Sequence, residues 1–408
     1  MQVVIAGGGL AGLRTAEELR AGGFGGSITM LAAESRPPYD RPPLSKGALA
    51  GEPDASGLEA ELDTTLSADF GALGVDLRLS EPATGLDLAA ARVRTAVAEY
   101  PYDRLVVVTG AVPVVLPGPG RQRFLRTHED ALELRARLRP GIRLVIVGAG
   151  WIGAELATAA AARGCRVTVA EAGPAPLAAA IGADVGAKTV PWYEAAGVEL
   201  RTSVLAESVE DGGLALRGGG WIGADEVVTA VGVRPAVGWL AGSGLTLDNG
   251  VAVDPGLRAS APGVYAAGDC ASFQSRRYGR RLRFEHWDVA LHAPRVVAAN
   301  IVAGEAGRTG EEIYDPVPYS WSEQFGRMVQ YAGYHGAADR LIWRGEVPAG
   351  PAPAPWTACW LSGDRLVALL AVDRPRDLAQ GRRLLAADTP VDPARLADPG
   401  IPLKNAAA

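Results

Sequence analysis

Residues Val3–Leu19 read VVIAGGGLAGLRTAEEL, and the fold turns on how those letters are read. An apolar run makes a short buried strand, Gly7, Gly9 and Gly12 make a G-x-G-x-x-G turn, and a segment rich in helix formers follows. The first glycine lets the chain reverse. The second lets backbone N–H groups approach a pyrophosphate, and the third lets helix and strand pack closely. Leu10 and Ala11 open the helix, whose positive dipole end then faces the anion. In a chain with 52 glycines, one such fingerprint is weak evidence.

Further along, the same grammar returns. Leu144–Ala160 reads LVIVGAGWIGAELATAA, with Gly148, Gly150 and Gly153 in the turn and Trp151 and Ile152 opening the helix. Each copy leads to a second apolar strand that ends in an acid. SITMLAAE reaches Glu34, and RVTVAE reaches Glu171. A carboxylate there accepts both ribose hydroxyls and repels a 2′-phosphate. EAGPAP, which follows Glu171, offers no Arg or Lys to receive that phosphate, so NADH is expected rather than NADPH. Two β-α-β units predict two dinucleotide sites and hence a flavoprotein oxidoreductase in which FAD and NADH each own one. GVYAAGDCA assigns the FAD, since a strand delivering Gly268-Asp269 into a crevice suits the ribityl and pyrophosphate region.

At 408 residues the chain exceeds one ordinary core, and two or three domains are expected at roughly 100 to 200 residues each. The net charge of -6 argues against nucleic acid or an anionic membrane as the main partner. Cys165, Cys270 and Cys359 show no C-x-x-C or C-x-x-H spacing, so neither a disulfide framework nor a metal site is indicated. MQVVIAGGG has no signal-peptide pattern, and no apolar run approaches the ~18 residues of a membrane span, so a cytoplasmic protein is expected. Towards the C-terminus, TACWLSGDRLVALLAV reads as two strands joined at Ser362-Gly363-Asp364, and DLAQGRRLLAAD as a helix. VPAGPAPAP reads as a surface loop.

The order GGGLAG, YDRPPLSK, VTGAVP, GAGWIGAE, VGVRP, YAAGDCA, EHW, WSEQFG and AVDRPRDL…RRLL resembles the NADH-dependent ferredoxin reductases of oxygenase systems, over essentially the whole chain. That resemblance implies an α/β fold of two Rossmann-like, glutathione-reductase-like domains and a C-terminal α+β domain. FAD would use 1–108 and 230–312, NADH 109–229, and the tail would run from 313 to 408. It implies that Lys46 lies beside the flavin N5 edge and pairs with Glu155, that Trp321 and Trp287 stand at the flavin, and that Arg41, Thr109, Gly110 and Gly232 line the cofactor sites. Lys46, Glu155 and Trp321 are the catalytic candidates. The electron acceptor would be an iron-sulfur ferredoxin feeding an oxygenase.

Unaided physics supports the lysine, because an ammonium stabilises negative charge on a reduced ring and a buried one needs a counter-ion. The thiols of disulfide reductases are missing: no cysteine precedes Cys165. The arginines of SRRYGRRLR are candidates for steering an acidic ferredoxin, against the plainer reading of a solvated hairpin. Val114, Ala236, Ala293 and Pro294 depart from the family pattern and leave flavin affinity, potential and partner open. An NADH oxidase or apoptosis-inducing-factor-like flavoprotein, and a non-catalytic NADH-sensing scaffold, are the alternative readings.

Overall fold

The computed structural model describes residues 1–50, 64–305, 312–347, 350, 352 and 354–408. Apolar runs such as VVIA and LVIV suit parallel strands covered on both faces, and both become central strands. Two compact units result: Met1–Asp40, Asp63–Val112 and Arg234–Pro318 form one, and Arg41–Leu62, Pro113–Val233 and Tyr319–Ala408 the other.

In the first unit the parallel strands lie in the order Val264–Ala266, Arg104–Val107, Gln2–Ala6, Ser27–Leu31, Val75–Arg78. Val3, Val4, Ile5 and Ala6 are completely buried. Helix Leu10–Ala21 packs on helix Trp287–Glu305, which runs through Pro294 without ending there. The second unit repeats the scheme in the order Glu199–Arg201, Arg166–Ala170, Arg143–Val147, Glu226–Thr229, Gln122–Arg123. Each glycine loop therefore leaves the carboxyl end of a central strand, where open parallel sheets bind their ligands.

The tail forms an antiparallel sheet in the order Tyr319–Gln324, Arg327–Gly333, Arg365–Val372, Trp356–Ser362, Arg340–Arg344, followed by helix Pro375–Ala387. Gly363, at φ 62°, supplies the turn in the expected hairpin. Leu369 of the sheet packs against Gly381 of that helix, while other tail residues share a core with the rest of the second unit. Trp356, Ala358, Trp360, Leu370 and Val372 share one cluster with Leu177, Ile181, Val185 and Trp192, which follow Glu171 in the chain. Arg327 covers the Trp192 ring at 4.8 Å. Cutting Trp192 back to alanine would cost about 3–5 kcal/mol, because it would open that shared core.

Breaks between the units fall at Val112/Pro113, Val233/Arg234 and Pro318/Tyr319, and the tail from Tyr319 belongs to the same compact unit as Pro113–Val233. Another falls at Asp40/Arg41, inside YDRPPLSK. The stretch VPAGPAPAP lies partly outside the described residues. Among the described residues no helix is long and apolar enough to cross a membrane, and no His, Cys, Asp or Glu cluster is arranged to hold a metal.

Candidate functional site

In the first unit, sterics demand two of the three fingerprint glycines. A Cβ on Gly7 (φ 133°) would stand 2.2 Å from the Val108 carbonyl oxygen, and one on Gly12 would stand 2.1 Å from that of Gly7. Gly9 differs, since a Cβ there would meet nothing within 4 Å. It opens onto the first-turn amides of Leu10, Ala11 and Gly12, which have no helical carbonyl one turn earlier to bond. An open cradle floored by amides fits a pyrophosphate. Gly268, at φ 70°, approaches Ala11 so closely that its Cβ would lie 3.3 Å from the alanine methyl, which brings the Asp269 turn against the loop. Thr109 follows Val108 behind Gly7 and donates through Oγ1 to the Ala236 carbonyl at 2.7 Å. Ala236 returns its own N–H to the Gly110 carbonyl at 2.9 Å, so the backbone closes here through main-chain bonds.

Neighbouring residues hold several of these in place. Arg283 donates to the Asp269 carbonyl at 3.1 Å and pairs with Glu285 at 2.6 Å, and Arg281 donates to the carbonyls of Val253 and Ser272. Two of the five arginines in SRRYGRRLR are thus turned into the fold, while Arg276, Arg277 and Arg280 stay exposed on the hairpin. The Tyr39 hydroxyl donates to Glu34 at 2.5 Å, and the Trp287 indole donates to Asp40 at 2.8 Å. Tyr39 and Asp40 escaped the sequence reading, although they lie within its most specific motif. His286, partly buried, stacks on Phe284 and has no hydrogen-bond partner at Nδ1. Burial pushes its pKa down to about 4 despite the opposing charge of Asp269, leaving a neutral imidazole at pH 7.

The second unit repeats the cradle. A Cβ on Gly148 (φ 102°) would stand 2.5 Å from the Ala230 carbonyl oxygen, one on Gly153 2.0 Å from that of Gly148, and one on Gly150 would meet nothing within 4 Å. The amides of Trp151, Ile152 and Gly153 floor it. Gly232, at φ 100°, also leaves open space. The Trp151 side chain instead packs against the tail core. Glu171 accepts the Ala149 amide at 2.6 Å and the Gly173 amide at 2.6 Å. A parallel neighbour brings in an arginine that no reading along the chain would find: the Arg201 carbonyl accepts the Glu171 N–H, while its guanidinium binds Glu199 at 2.8 Å.

Glu155 gathers the remaining candidates of this unit. It is 3% exposed, and Lys46 Nζ lies 3.0 Å from its Oε1 and 3.1 Å from its Oε2. Ser45 donates to Oε2, Ser322 donates to Oε1 at 2.6 Å, and the Glu323 amide donates to Oε1 at 3.3 Å. Pro42–Ser45 is a single 3₁₀ turn whose leading prolines fix φ, and the Pro42 carbonyl accepts Lys46 at 3.2 Å. Leu44 within the turn and Leu49 after it are buried and anchor it. Arg41 donates to the Arg126 carbonyl. Trp321, beside Ser322, stacks on Tyr319 at 5.9 Å, and Arg382 covers the tyrosine at 4.5 Å.

Thiol chemistry finds no support. Burial pushes the Cys270 thiol up to about 11 and the Cys359 thiol to about 12, so neither is a thiolate at neutral pH. Cys165 is pushed up as well, mainly by burial.

Comparison with known proteins gives a consistent picture. Residues 1–293 match the family described as pyridine nucleotide-disulphide oxidoreductase, and residues 319–407 match the reductase C-terminal family. The ferredoxin–NAD(+) reductase component of the anthranilate 1,2-dioxygenase system of Burkholderia cepacia is 36% identical over 98% of this chain and 98% of its own. The crystal structure of Fdr9 is 49% identical, with a TM-score of 0.92 over 98% of this chain and 99% of that one. Putidaredoxin reductase, in its covalent complex with putidaredoxin, is 30% identical, with a TM-score of 0.89 over 99% of this chain and 97% of that one.

Proposed function

The chain belongs to the pyridine nucleotide-disulphide oxidoreductase family, and from that premise we propose how its residues serve an NADH-dependent ferredoxin reductase. The protein is an enzyme that uses FAD and NADH and passes electrons to an iron-sulfur ferredoxin, which serves an oxygenase. FAD held by the chain would supply a hydride acceptor that can release electrons one at a time.

The chain's own residues bind, orient and balance charge. Gly7, Gly9, Gly12, Leu10 and Ala11 hold the FAD pyrophosphate, with Glu34 on its ribose and Asp269, Thr109 and Gly110 around its middle. Gly148, Gly150, Gly153, Trp151, Ile152 and Gly232 do the same for NADH, with Glu171 on the ribose. Lys46 balances the negative charge gained on reduction, and Glu155 is its counter-ion. A lysine only 17% exposed and lacking that partner would cost on the order of several kcal/mol. Trp287, Trp321 and Arg41 complete the flavin environment. Arg276, Arg277 and Arg280 suit an acidic ferredoxin, in which opposite charge speeds encounter. Three thiols without a disulfide accord with the cytoplasm.

The observation that carries this reading is the pair of open cradles at Gly9 and Gly150 in a chain whose thiols are protonated at neutral pH. The test measures NADH-dependent dye reduction, and cytochrome c reduction through an added ferredoxin. Rapid turnover of both is expected. Oxygen consumption that ferredoxin does not stimulate would replace this reading with an NADH oxidase, and a polypeptide that stays colourless after reconstitution with FAD would end it.

A further inference from the structure

Behind Glu155 lies a second layer that neither glycine fingerprint announces. Ser322 and Gln324 are two residues apart on one strand and so share a face of the tail sheet, and both are fully buried. Gln324 Nε2 donates to Ser322 Oγ at 3.0 Å, and Ser322 Oγ donates to Glu155 Oε1 at 2.6 Å. The direction of this chain follows from donor chemistry. A carboxylate only accepts, so the serine proton goes to Glu155, the serine oxygen is left as an acceptor, and the nitrogen of the Gln324 amide must face it.

From the other side, Ser45 Oγ donates to Glu155 Oε2 and Lys46 Nζ reaches both oxygens. Residues 45, 46, 322 and 323 thus meet on the Glu155 carboxylate, with Gln324 one hydrogen bond behind Ser322. Folding alone does not call for so dense a buried polar network, because apolar side chains of similar volume commonly stabilise a core as well or better. Its distinctive physical consequence is orientation. Donors on both oxygens stop a carboxylate turning about its last bond: Ser45 grips Oε2, and on Oε1 the Ser322 hydroxyl at 2.6 Å is a shorter donor than the Glu323 amide at 3.3 Å. A fixed carboxylate holds a bidentate lysine in one place.

We propose that Ser322, oriented by Gln324, is a positioning residue for hydride transfer: it locks Glu155 so that the Lys46 ammonium keeps one position through turnover. The proposal deepens the reading given above and rests on the assignment of Lys46 to the flavin. It also ties the strand bearing Trp321 to the same carboxylate.

The test compares Ser322→Ala, Ser322→Thr and Gln324→Met in the FAD-loaded enzyme. Three quantities are followed: anaerobic flavin reduction at saturating NADH from pH 6 to 9, the flavin midpoint potential without NADH, and the melting temperature. In Ser322→Ala, reduction slows about tenfold and its pH profile shifts. The midpoint potential falls by about 30 mV, the two-electron equivalent of tenfold. Ser322→Thr, which keeps the hydroxyl, recovers to within about threefold of the wild type, and Gln324→Met moves rate and potential in the same direction by about threefold. If Ser322→Ala does not fold, the potential of Gln324→Met decides.

A lower melting temperature with unchanged rate, pH profile and potential would show a purely structural role and overturn the proposal. Lys46→Met separates the two levels. If it is reduced at the wild-type rate, the underlying reading fails; if it slows while Ser322→Ala and Gln324→Met do not, only this proposal falls.

Discussion

The two glycine loops share one steric design and part company at two places. In both, the first and third glycines abut carbonyl oxygens while the second faces open space. Two residues past the third glycine, however, the first helix carries Arg14, 37% exposed and paired with Glu17 at 2.6 Å, and the second carries Glu155, buried under four donor groups. The acids differ too. Gly7 N donates to Leu31 O and Ala32 N to Arg78 O, just as Gly148 N donates to Ala170 O and Glu171 N to Arg201 O. Ala32 therefore occupies the place of Glu171, and Glu34 arrives two residues later under the control of Tyr39. A common cradle suits a pyrophosphate, and in the proposed reading the residues around it would decide which dinucleotide it takes and whether the helix also takes part in the chemistry.

The sharpest way to break this comparison is to fill one cradle at a time. Gly12→Ala and Gly153→Ala each drive a methyl to about 2 Å from a backbone oxygen, which costs on the order of 3 kcal/mol or more. Gly12→Ala should purify without flavin, as judged by absorbance, whereas Gly153→Ala should stay yellow and lose more than about 100-fold in kcat/KM for NADH. If both lost flavin, the two loops would not be separate sites.

The helix difference comes next. Glu155→Gln should slow stopped-flow flavin reduction about 10- to 100-fold, because it leaves a partly buried lysine without its counter-ion. Arg14→Gln, at a surface pair worth about 0–1 kcal/mol, should leave it within about twofold.

Smaller effects sharpen the contrast between the acids. Glu171→Ala removes the acceptor of two amides and of the proposed ribose, and should raise the KM for NADH about tenfold. Tyr39→Phe only loosens Glu34 and should weaken FAD binding a few-fold, by about 1 kcal/mol in a flavin titration.

The last effect is one of pH. His286 has a pKa near 4 when folded, below its ordinary 6.5, so the unfolded chain takes up the proton first. Its contribution to stability is full above pH 6.5 and declines as pH falls towards 4, at no more than about 1.4 kcal/mol per pH unit. His286→Phe should flatten the melting-temperature curve over that window, and an unchanged curve would show that another group causes the decline.

Much of the fold was legible because glycine spacing and apolar runs are local signals. The turns at Gly7 and Gly148, the strands beside them, the tail hairpin at Gly363 and the helix after it all depend on residues close in the chain. The site was legible in part. Lys46 and Glu155 came from a family motif, but Ser322 and Gln324 looked like ordinary strand residues in WSEQ until the strand was placed. Arg281 and Arg283 read as a steering patch, and only their partners reveal that they brace the Asp269 segment.

By itself the sequence determined that this protein has two glycine-loop cradles, that its cysteines lie outside any redox motif, and that a lysine follows a proline-braced turn, since steric exclusion, residue type and restricted φ act over a few bonds. Tertiary structure alone decided that Asp40 and Arg41 separate two compact units, that the tail shares its core with the residues after Glu171, and that Glu155 is gripped by residues 45, 46, 322 and 323. Those outcomes require segments more than a hundred residues apart to meet. Hydrogen bonds and packing have a range of a few ångströms, so which distant groups come within that range depends on how the whole chain folds.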